Sequence, residues 1–402
     1  MTLFQSFLSR PACRDIFSDR SVLAAMLRVE AALARAQAEQ GVIPADAARA
    51  IAAHCDVSRY DVAAIAAGAA GAGSVAIPLI QALRQAVQAH DEGAARYTHA
   101  ASTSQDIADT ALALLTREAL ALMAADLRRA ILAGLALAQA HAHTPALART
   151  LMQPASVTSF GFKCLGWTAP LVRADARLRH AAEQALQLQL GGPVGTLANM
   201  DGKGQAVAAS MARALGLRDP GLSWHTQRDA WNGLGCELGI LAGSLGKIGR
   251  DLALAGQFEV AEAFEPAAPG RGASSAMSHK RNPASCLTAI AAAARAPQLV
   301  ASLLSAMPQE NERALGLWQA EQADWPALVM TVQGSLAAMA DALEGLVVDE
   351  ARMRRNIQQL CDAVPDDVAR EWFRADLAEG IAAGTLHHVG VLRREFERNR
   401  AS

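Results

Sequence analysis

The stretch Thr103–His141, TSQDIADTALALLTREALALMAADLRRAILAGLALAQAH, decides the fold class. It has no internal proline, and Leu112, Leu114, Leu115, Leu120, Leu122 and Leu127 recur along it at helical spacing. Thr103 or Ser104 stands where a helix needs an N-cap, because a side-chain oxygen there can accept an N–H that the first turn leaves unpaired. Read as one helix, the segment far exceeds the usual length of about 11–12 residues. Outward from it the same pattern returns. Ser21–Gln40 puts Leu23, Met26, Leu27, Val29, Ala32 and Leu33 largely on one face, with Arg28, Glu30 and Arg35 interspersed. Further long helices are predicted over Arg228–Phe264, Ala284–Met307 with a break near Pro297, and Trp325–Leu346. Hydrophobic residues make up 52% of the chain but aromatics only 4%, so the apolar content is mainly alanine and leucine, which favour helix over strand. The expectation is an all-α protein, an elongated bundle of long helices whose broad apolar faces need other helices, including those of other subunits.

A chain of 402 residues can bury a sizeable core and ordinarily forms two or three domains. With 37 basic and 39 acidic residues and a net charge of −2, nothing in the charge balance favours nucleic acid or an anionic membrane as a partner. The cysteines (Cys13, Cys55, Cys164, Cys236, Cys286 and Cys361) are scattered, without a Cys-x-x-Cys pair, and read as small thiols in a reducing cytosol. Met1–Arg10 lacks a basic start followed by a long apolar run, so no signal peptide is expected. Val62–Leu83 is free of charge and long enough to span a bilayer, but Gly68, Gly71, Gly73, Ser74 and Pro78 make a helix–loop–helix corner the better reading. Gly191-Gly192-Pro193-Val194-Gly195-Thr196 has the look of a phosphate cradle. No Gly-Lys-Ser/Thr follows it and no strand precedes it, so nucleotide binding is not expected.

Five polar clusters interrupt this apolar background. They are His99–Asp106 (HAASTSQD), Arg149–Ala155 (RTLMQPA), Trp224–Asp229 (WHTQRD), the loop Gly270–Pro283 (GRGASSAMSHKRNP) and Gln309–Arg313 (QENER). Singly, each has a plain structural explanation: Thr103 and Ser104 can simply cap a helix, and Arg228 and Asp229 can be a surface charge pair. The loop at 270–283 is more pointed. Glycines at its start allow it to bend, adjacent hydroxyls occupy its middle, and Lys280, Arg281 and Asn282 close it ahead of a proline, a composition suited to folding over a bound anion.

That loop resembles the signature of the fumarase/aspartase superfamily, Gly-Ser-Ser-x-Met-Pro-x-Lys-x-Asn-Pro, and the other clusters follow in that superfamily's order over residues 1 to about 355. Trp224–Asp229, Phe264–Gly270 (FEPAAPG) and Gln309–Trp318 (QENERALGLW) are similar to the branch of bacterial 3-carboxy-cis,cis-muconate cycloisomerases, lactonising enzymes of protocatechuate breakdown. The resemblance implies addition of a carboxylate oxygen to a carbon–carbon double bond as a proton arrives at the neighbouring carbon, through a carbanion stabilised as a doubly charged carboxylate. Such a centre needs fixed positive charge and donors aimed at the growing anion. By resemblance Ser274 transfers the proton and His99 is a donor. Lys280, Asn282, Arg313, Gln227, Gln153, Thr103, Ser104 and Ser275 hold a small polycarboxylate substrate. No metal or organic cofactor is implied. The resemblance also implies a cytoplasmic homotetramer with active sites shared between subunits. The domains expected are 1–101, 102–346 and 347–402. Two rivals stay open: another fumarate-releasing lyase of the superfamily, such as one acting on adenylosuccinate, and a non-catalytic helical scaffold.

Departures from the pattern bear on those rivals. Pro154 takes a position where many members carry His or Gln and Leu151 one where others carry His; neither residue can exchange a proton, which leaves His99 as a donor and His225 as a substitute. Ala273 replaces a glycine, Ser278 a proline, and Ala101 sits where glycine is common. Alanine is harmful at a glycine position only if the backbone there needs φ > 0. After Asp349–Asn356, the segment Cys361–Ser402 is shorter than the superfamily leads one to expect, and Arg393–Arg400 reads as a solvated helix end or frayed tail.

Overall fold

The computed structural model describes residues 3–268 and 270–401; Met1, Thr2, Ser402 and Pro269, the last from the Phe264–Gly270 stretch, lie outside the described residues. The N-terminal part holds α1 (Pro11–Ile16), α2 (Asp19–Glu39), α3 (Ala45–His54), α4 (Val62–Ala72), α5 (Ala76–His90) and α6 (Glu92–Ala95). The long helices are α7 (Ser104–Ala140), α8 (Phe160–Ala185), α10 (Asp229–Ala255), α11 (Ala284–Ser305) and α12 (Leu317–Glu344), with a shorter α9 (Gly204–Leu215) between α8 and α10. A hairpin, β1 (Pro145–Thr150) with β2 (Gln153–Ser159), joins α7 to α8, and β3 (Ala263–Phe264) pairs antiparallel with β4 (Val347–Val348). The chain finishes with α13 (Glu350–Ala363), α14 (Asp366–Trp372) and α15 (Leu377–Ala401). The fold is a helical bundle, as the alanine–leucine composition predicts.

The first half of α7 is buried on nearly every side, from Ile107 and Ala108 through Ala111 to Leu115, which is why it lies in the middle, packed between α2, α8 and α12. In α10 the stripe Trp231, Leu234, Leu238, Leu241, Leu245, Ile248 and Leu252 is buried, and the adjoining glycine face, Gly239, Gly246 and Gly249, packs against α11. That contact depends on small residues: a Cβ added at Gly246 would lie 2.3 Å from the Cβ of Ala293. The indole of Trp231 stacks on that of Trp325 at 4.0 Å between centroids, tying α10 to α12.

Several boundaries differ from the sequence reading. The helix from Arg228 ends at Ala255 rather than Phe264, because Phe264 is drawn into the ladder with Val347. Pro297 does not break α11; flanking Ala292, Ala296 and Leu299 are buried and hold the helix through the missing hydrogen bond. The last helix of the bundle begins at Leu317, ahead of Trp325. Val62–Leu83 is a helix–loop–helix corner, with Gly73 at φ +69° ending α4. Arg393–Arg400 is not a frayed tail: α15 is continuous, Val389 and Phe396 are buried, and Asn399 donates to the carbonyl of Val172 in α8. By length and composition α11 and α12 could each cross a membrane; most of α12 is covered by the bundle, whereas much of α11 is exposed.

Candidate active site

The site is organised by Asp106, in the first turn of α7 and fully buried. Its carboxylate accepts the backbone N–H of Gly191 and of Gly192, each at 2.9 Å, the backbone N–H of Thr103 at 3.0 Å and the Ser102 hydroxyl at 3.2 Å. The Nε2 of His225 lies 2.7 Å from its Oδ1. The glycine pair therefore does cradle an anion, but the anion is the protein's own carboxylate. Its composition follows from the space available. A Cβ at Gly191 would come within 2.5 Å of the Ser223 hydroxyl and 2.9 Å of His225, and Gly192 has φ +70° with the Ala101 carbonyl 2.8 Å from where a Cβ would sit.

Above this hub lies the mouth of the site. Thr103 is the N-cap residue of α7, and its hydroxyl accepts a hydrogen bond from Arg313. The same guanidinium donates to the carbonyls of Pro193 at 2.9 Å and Gly192 at 3.4 Å. Arg313 thus comes from a distant loop to the Asp106-bound turn, with Ser104 beside it at the start of α7. His99 is nearby, its Nδ1 2.6 Å from Glu30 Oε1 on α2. Burial alone would push its pKa down, but the charge and hydrogen bond of Glu30 and the charge of Asp106 outweigh burial and nearby Arg84, and hold it above the ordinary histidine value.

Beneath the hub is a sealed ionic network. Arg228 has no exposed side-chain surface; it donates to Asp109 at 2.7 Å and to both oxygens of Glu321, and its guanidinium lies over the Trp224 ring at 4.4 Å. Trp318 Nε1 donates to the second oxygen of Asp109 at 2.9 Å. Burial raises the pKa of Glu321 while Arg228 opposes the rise. Arg228 is therefore not part of a surface charge pair with Asp229; the sequence offers no sign that acids on α7 and α12 would meet it.

The remaining candidates stand apart within one chain. Arg149 and Gln153 lie on the β1–β2 hairpin, turned by Leu151 (φ +51°) and Met152 (φ +67°); Leu151, Met152, Gln153 and Pro154 are exposed. Arg149 pairs with Glu262 at 3.1 Å and lines a cavity of about 550 Å³ with Phe162, Lys163 and Trp167. Gln227 is exposed, and its amide donates to the Ser223 carbonyl. The serine loop closes at a neck where Asn282 N–H donates to the Gly272 carbonyl at 2.8 Å, Ala273 bridges Arg281, and Arg271 is pinned to Asp341 at 2.7 Å. Ser274 accepts the N–H of Met277 at 3.1 Å, while Ser275 and Lys280 are exposed. Glu265 caps the following helix by accepting the N–H groups of Ser285 and Cys286. Among the described residues, none of Ser274, Ser275, Lys280, Gln153 and Gln227 hydrogen-bonds to His99, Thr103 or Arg313. The departures from the family pattern separate here. Ala273 does not adopt a positive φ, so the lost glycine is harmless, whereas Ala101 has φ +54° and is strained.

Residues 7–297 match the family described as Lyase. The chain is 48% identical over 387 residues to a 3-carboxy-cis,cis-muconate cycloisomerase of Pseudomonas aeruginosa, covering 96% of this chain and 83% of the relative. It is 46% identical over 387 residues to the protein of that name from Bradyrhizobium diazoefficiens, covering 96% of this chain and 85% of the relative. The crystal structure of 3-carboxy-cis,cis-muconate lactonizing enzyme from Pseudomonas putida superposes with a TM-score of 0.83 at 40% identity, covering 97% of this chain and 89% of that one.

Proposed function

The chain belongs to the lyase family of the fumarase/aspartase superfamily, and on that premise we propose that it is a cycloisomerase interconverting 3-carboxy-cis,cis-muconate and its carboxy-muconolactone. The observation that carries this reading is the meeting of Arg313 and Thr103 at a mouth beside Asp106, whose charge also acts on His99, in a chain similar over nearly its whole length to proteins of that name. Such a mouth offers fixed cationic and hydroxyl donors, prepaid in orientation, to a substrate carboxylate.

In this reading Ser274 gives or takes the proton at the carbon beside the carboxylate, and His99 donates to the carboxylate that gains charge. Lys280, Asn282, Arg313, Gln227 and Gln153 grip the remaining carboxylates, with Thr103, Ser104 and Ser275 as hydroxyl donors. A serine becomes a base only when N–H groups and a nearby cation stabilise its alkoxide, so closure of the loop, with Lys280 on it, is part of the reaction. The chemistry calls for no metal or organic cofactor.

The protein acts as a homotetramer in which each site draws on several subunits. Two features support this. The serine loop, Gln153 and Gln227 are separate from the Arg313 mouth within one chain. The outer faces of α10 and α11 also leave Ile240, Leu254, Leu287 and Leu304 exposed, apolar side chains that packing against another subunit would cover. Residues 1–101, 102–346 and 347–402 act as three units, the last joined to the second through a small core of Ile357, Phe373 and Ala378 against Leu147 and Val157 of the hairpin. A cytoplasmic setting accords with six free cysteines.

The reading is tested by following loss of the conjugated diene of 3-carboxy-cis,cis-muconate in the ultraviolet. Turnover by wild type and none by Ser274→Ala, with unchanged helical circular dichroism, is expected. Mixing Ser274→Ala with His99→Asn protein should restore activity through hybrid tetramers. No turnover by folded wild-type tetramer would favour a scaffold, the reading that Leu151 and Pro154 at the exposed hairpin suggest.

A further inference from the structure

Glu30 lies in the middle of α2, among Met26, Leu27, Val29 and Leu33, and only 1% of its surface is exposed. A carboxylate there is costly unless charge or donors meet it. His99 meets one oxygen at 2.6 Å; Oε2 has no hydrogen-bond partner. The segment that presents His99 is itself strained, with both His99 (φ +61°) and Ala101 (φ +54°) in the left-handed region that disfavours side chains. It is held from several sides. Arg84 of α5 donates to the Thr98 carbonyl at 3.2 Å, Gln37 of α2 donates to the Ala100 carbonyl at 2.7 Å, and Glu30 takes the ring. Strain of this kind persists only where surrounding groups over-determine it, and it gathers at functional sites.

We propose that Glu30 is a positioning residue for His99: its carboxylate fixes Nδ1 as the tied nitrogen and leaves Nε2, on the far edge of the ring, to donate to a substrate carboxylate. This rests on the reading of His99 as a donor in the proposed reaction. A carboxylate on Nδ1 fixes the orientation of the ring and favours the imidazolium, the form in which Nε2 also carries a proton to donate; a neutral ring with its proton toward Glu30 would present Nε2 as an acceptor. Nε2 makes no hydrogen bond among the described residues, and 14% of the His99 side chain is exposed. The charged groups facing His99 are Glu30 from α2, Asp106 from the start of α7 and Arg84 from α5; His225 shares Asp106 from the loop before α10, and Arg313 sits on the adjoining Thr103. Glu30 and Asp106 favour the imidazolium, Arg84 and burial oppose it, and the balance lies above the ordinary value. The charged donor is present below the folded pKa and lost as pH rises through it, so Glu30 extends donation toward neutral pH.

The test is Glu30→Gln, which keeps the shape and removes the charge, in the full-length protein with 13C-labelled histidine. Two midpoints are read: that of the His99 ring by NMR, and that of the high-pH limb of kcat/KM. Both should fall by about one pH unit or more, the change expected when an opposite charge in contact is removed. Glu30→Asp, which keeps the charge on a shorter arm, should give midpoints between the two and serves if Glu30→Gln does not fold. A Glu30 that merely fills its place in α2 would lower the melting temperature and leave both midpoints unmoved, and that result overturns the proposal. The ring titration needs no turnover. If wild type does not act on the muconate, the functional reading fails by itself, while a lowered ring midpoint still supports the pairing and an unmoved one overturns it.

Discussion

Replacing Asp106 with asparagine tests whether one buried carboxylate holds the site together. One oxygen of Asp106 takes Gly191 N–H and His225 Nε2; the other takes Gly192 N–H, Thr103 N–H and the Ser102 hydroxyl. An asparagine must turn its NH2 toward one of these groups. Turned to the first, it leaves the Gly191 N–H facing another donor, while His225 can change tautomer and accept. Turned to the second, it strands two backbone N–H groups, so the first orientation wins. The cost is one buried unsatisfied donor, about 1–3 kcal/mol, plus the charge assistance lost from the remaining bonds, giving a total of about 3 kcal/mol. The Gly191–Gly192 turn and Thr103 then shift, and Arg313, which is bonded to both, shifts with them. A displacement on the order of 1 Å costs about 100-fold in kcat/KM. The assays are urea unfolding at fixed subunit concentration and diene loss at saturating and limiting substrate. Destabilisation below about 1 kcal/mol with unchanged kcat/KM would refute the reasoning, since five donors cannot then depend on that charge.

Other perturbations separate the remaining parts of the molecule. Arg228→Leu leaves Asp109 and Glu321 facing each other in a sealed space and should destabilise by about 3–5 kcal/mol in denaturant unfolding. Ala101→Gly should stabilise by about 1 kcal/mol, because glycine takes the left-handed backbone that alanine adopts under strain; a lower melting temperature would contradict this. Lys280→Met should raise KM for the tricarboxylate steeply, a charge-assisted contact being worth about 1.5–3 kcal/mol, with the fold intact by circular dichroism. Because the folded pKa of His99 is raised, its pairing with Glu30 contributes stability fully below the unfolded value of about 6.5 and loses it as pH rises through the folded value. The stability gap between wild type and Glu30→Gln should therefore narrow from pH 6 to pH 9.

The helical fold was legible in the sequence because its causes are local. Leucine spacing along Thr103–His141, a cap residue at its start and few aromatics each act within a few residues of chain, and they need no tertiary partner to be read. The serine loop was legible for a related reason: its glycines, hydroxyls and cations are contiguous. Ends of helices were misplaced where a tertiary ladder competed with helical propensity, as at Phe264 against Val347. The site was half visible. Thr103 and Arg313 could be named, but their contact joins residues 210 apart in sequence and exists only once α7 and α12 are packed. Arg228 looked like a surface charge because the acids that bury it, Asp109 and Glu321, lie on other helices. Glu30 showed only as one of the charges interspersed among the apolar residues of Ser21–Gln40 for the same reason, its partner being presented by a strained turn remote in sequence. Sequence alone determines what propensity and neighbouring residues can fix. The pairing of buried charges waits on the packing of distant helices, because a carboxylate's cost or benefit depends on which group the fold brings within about 3 Å of it.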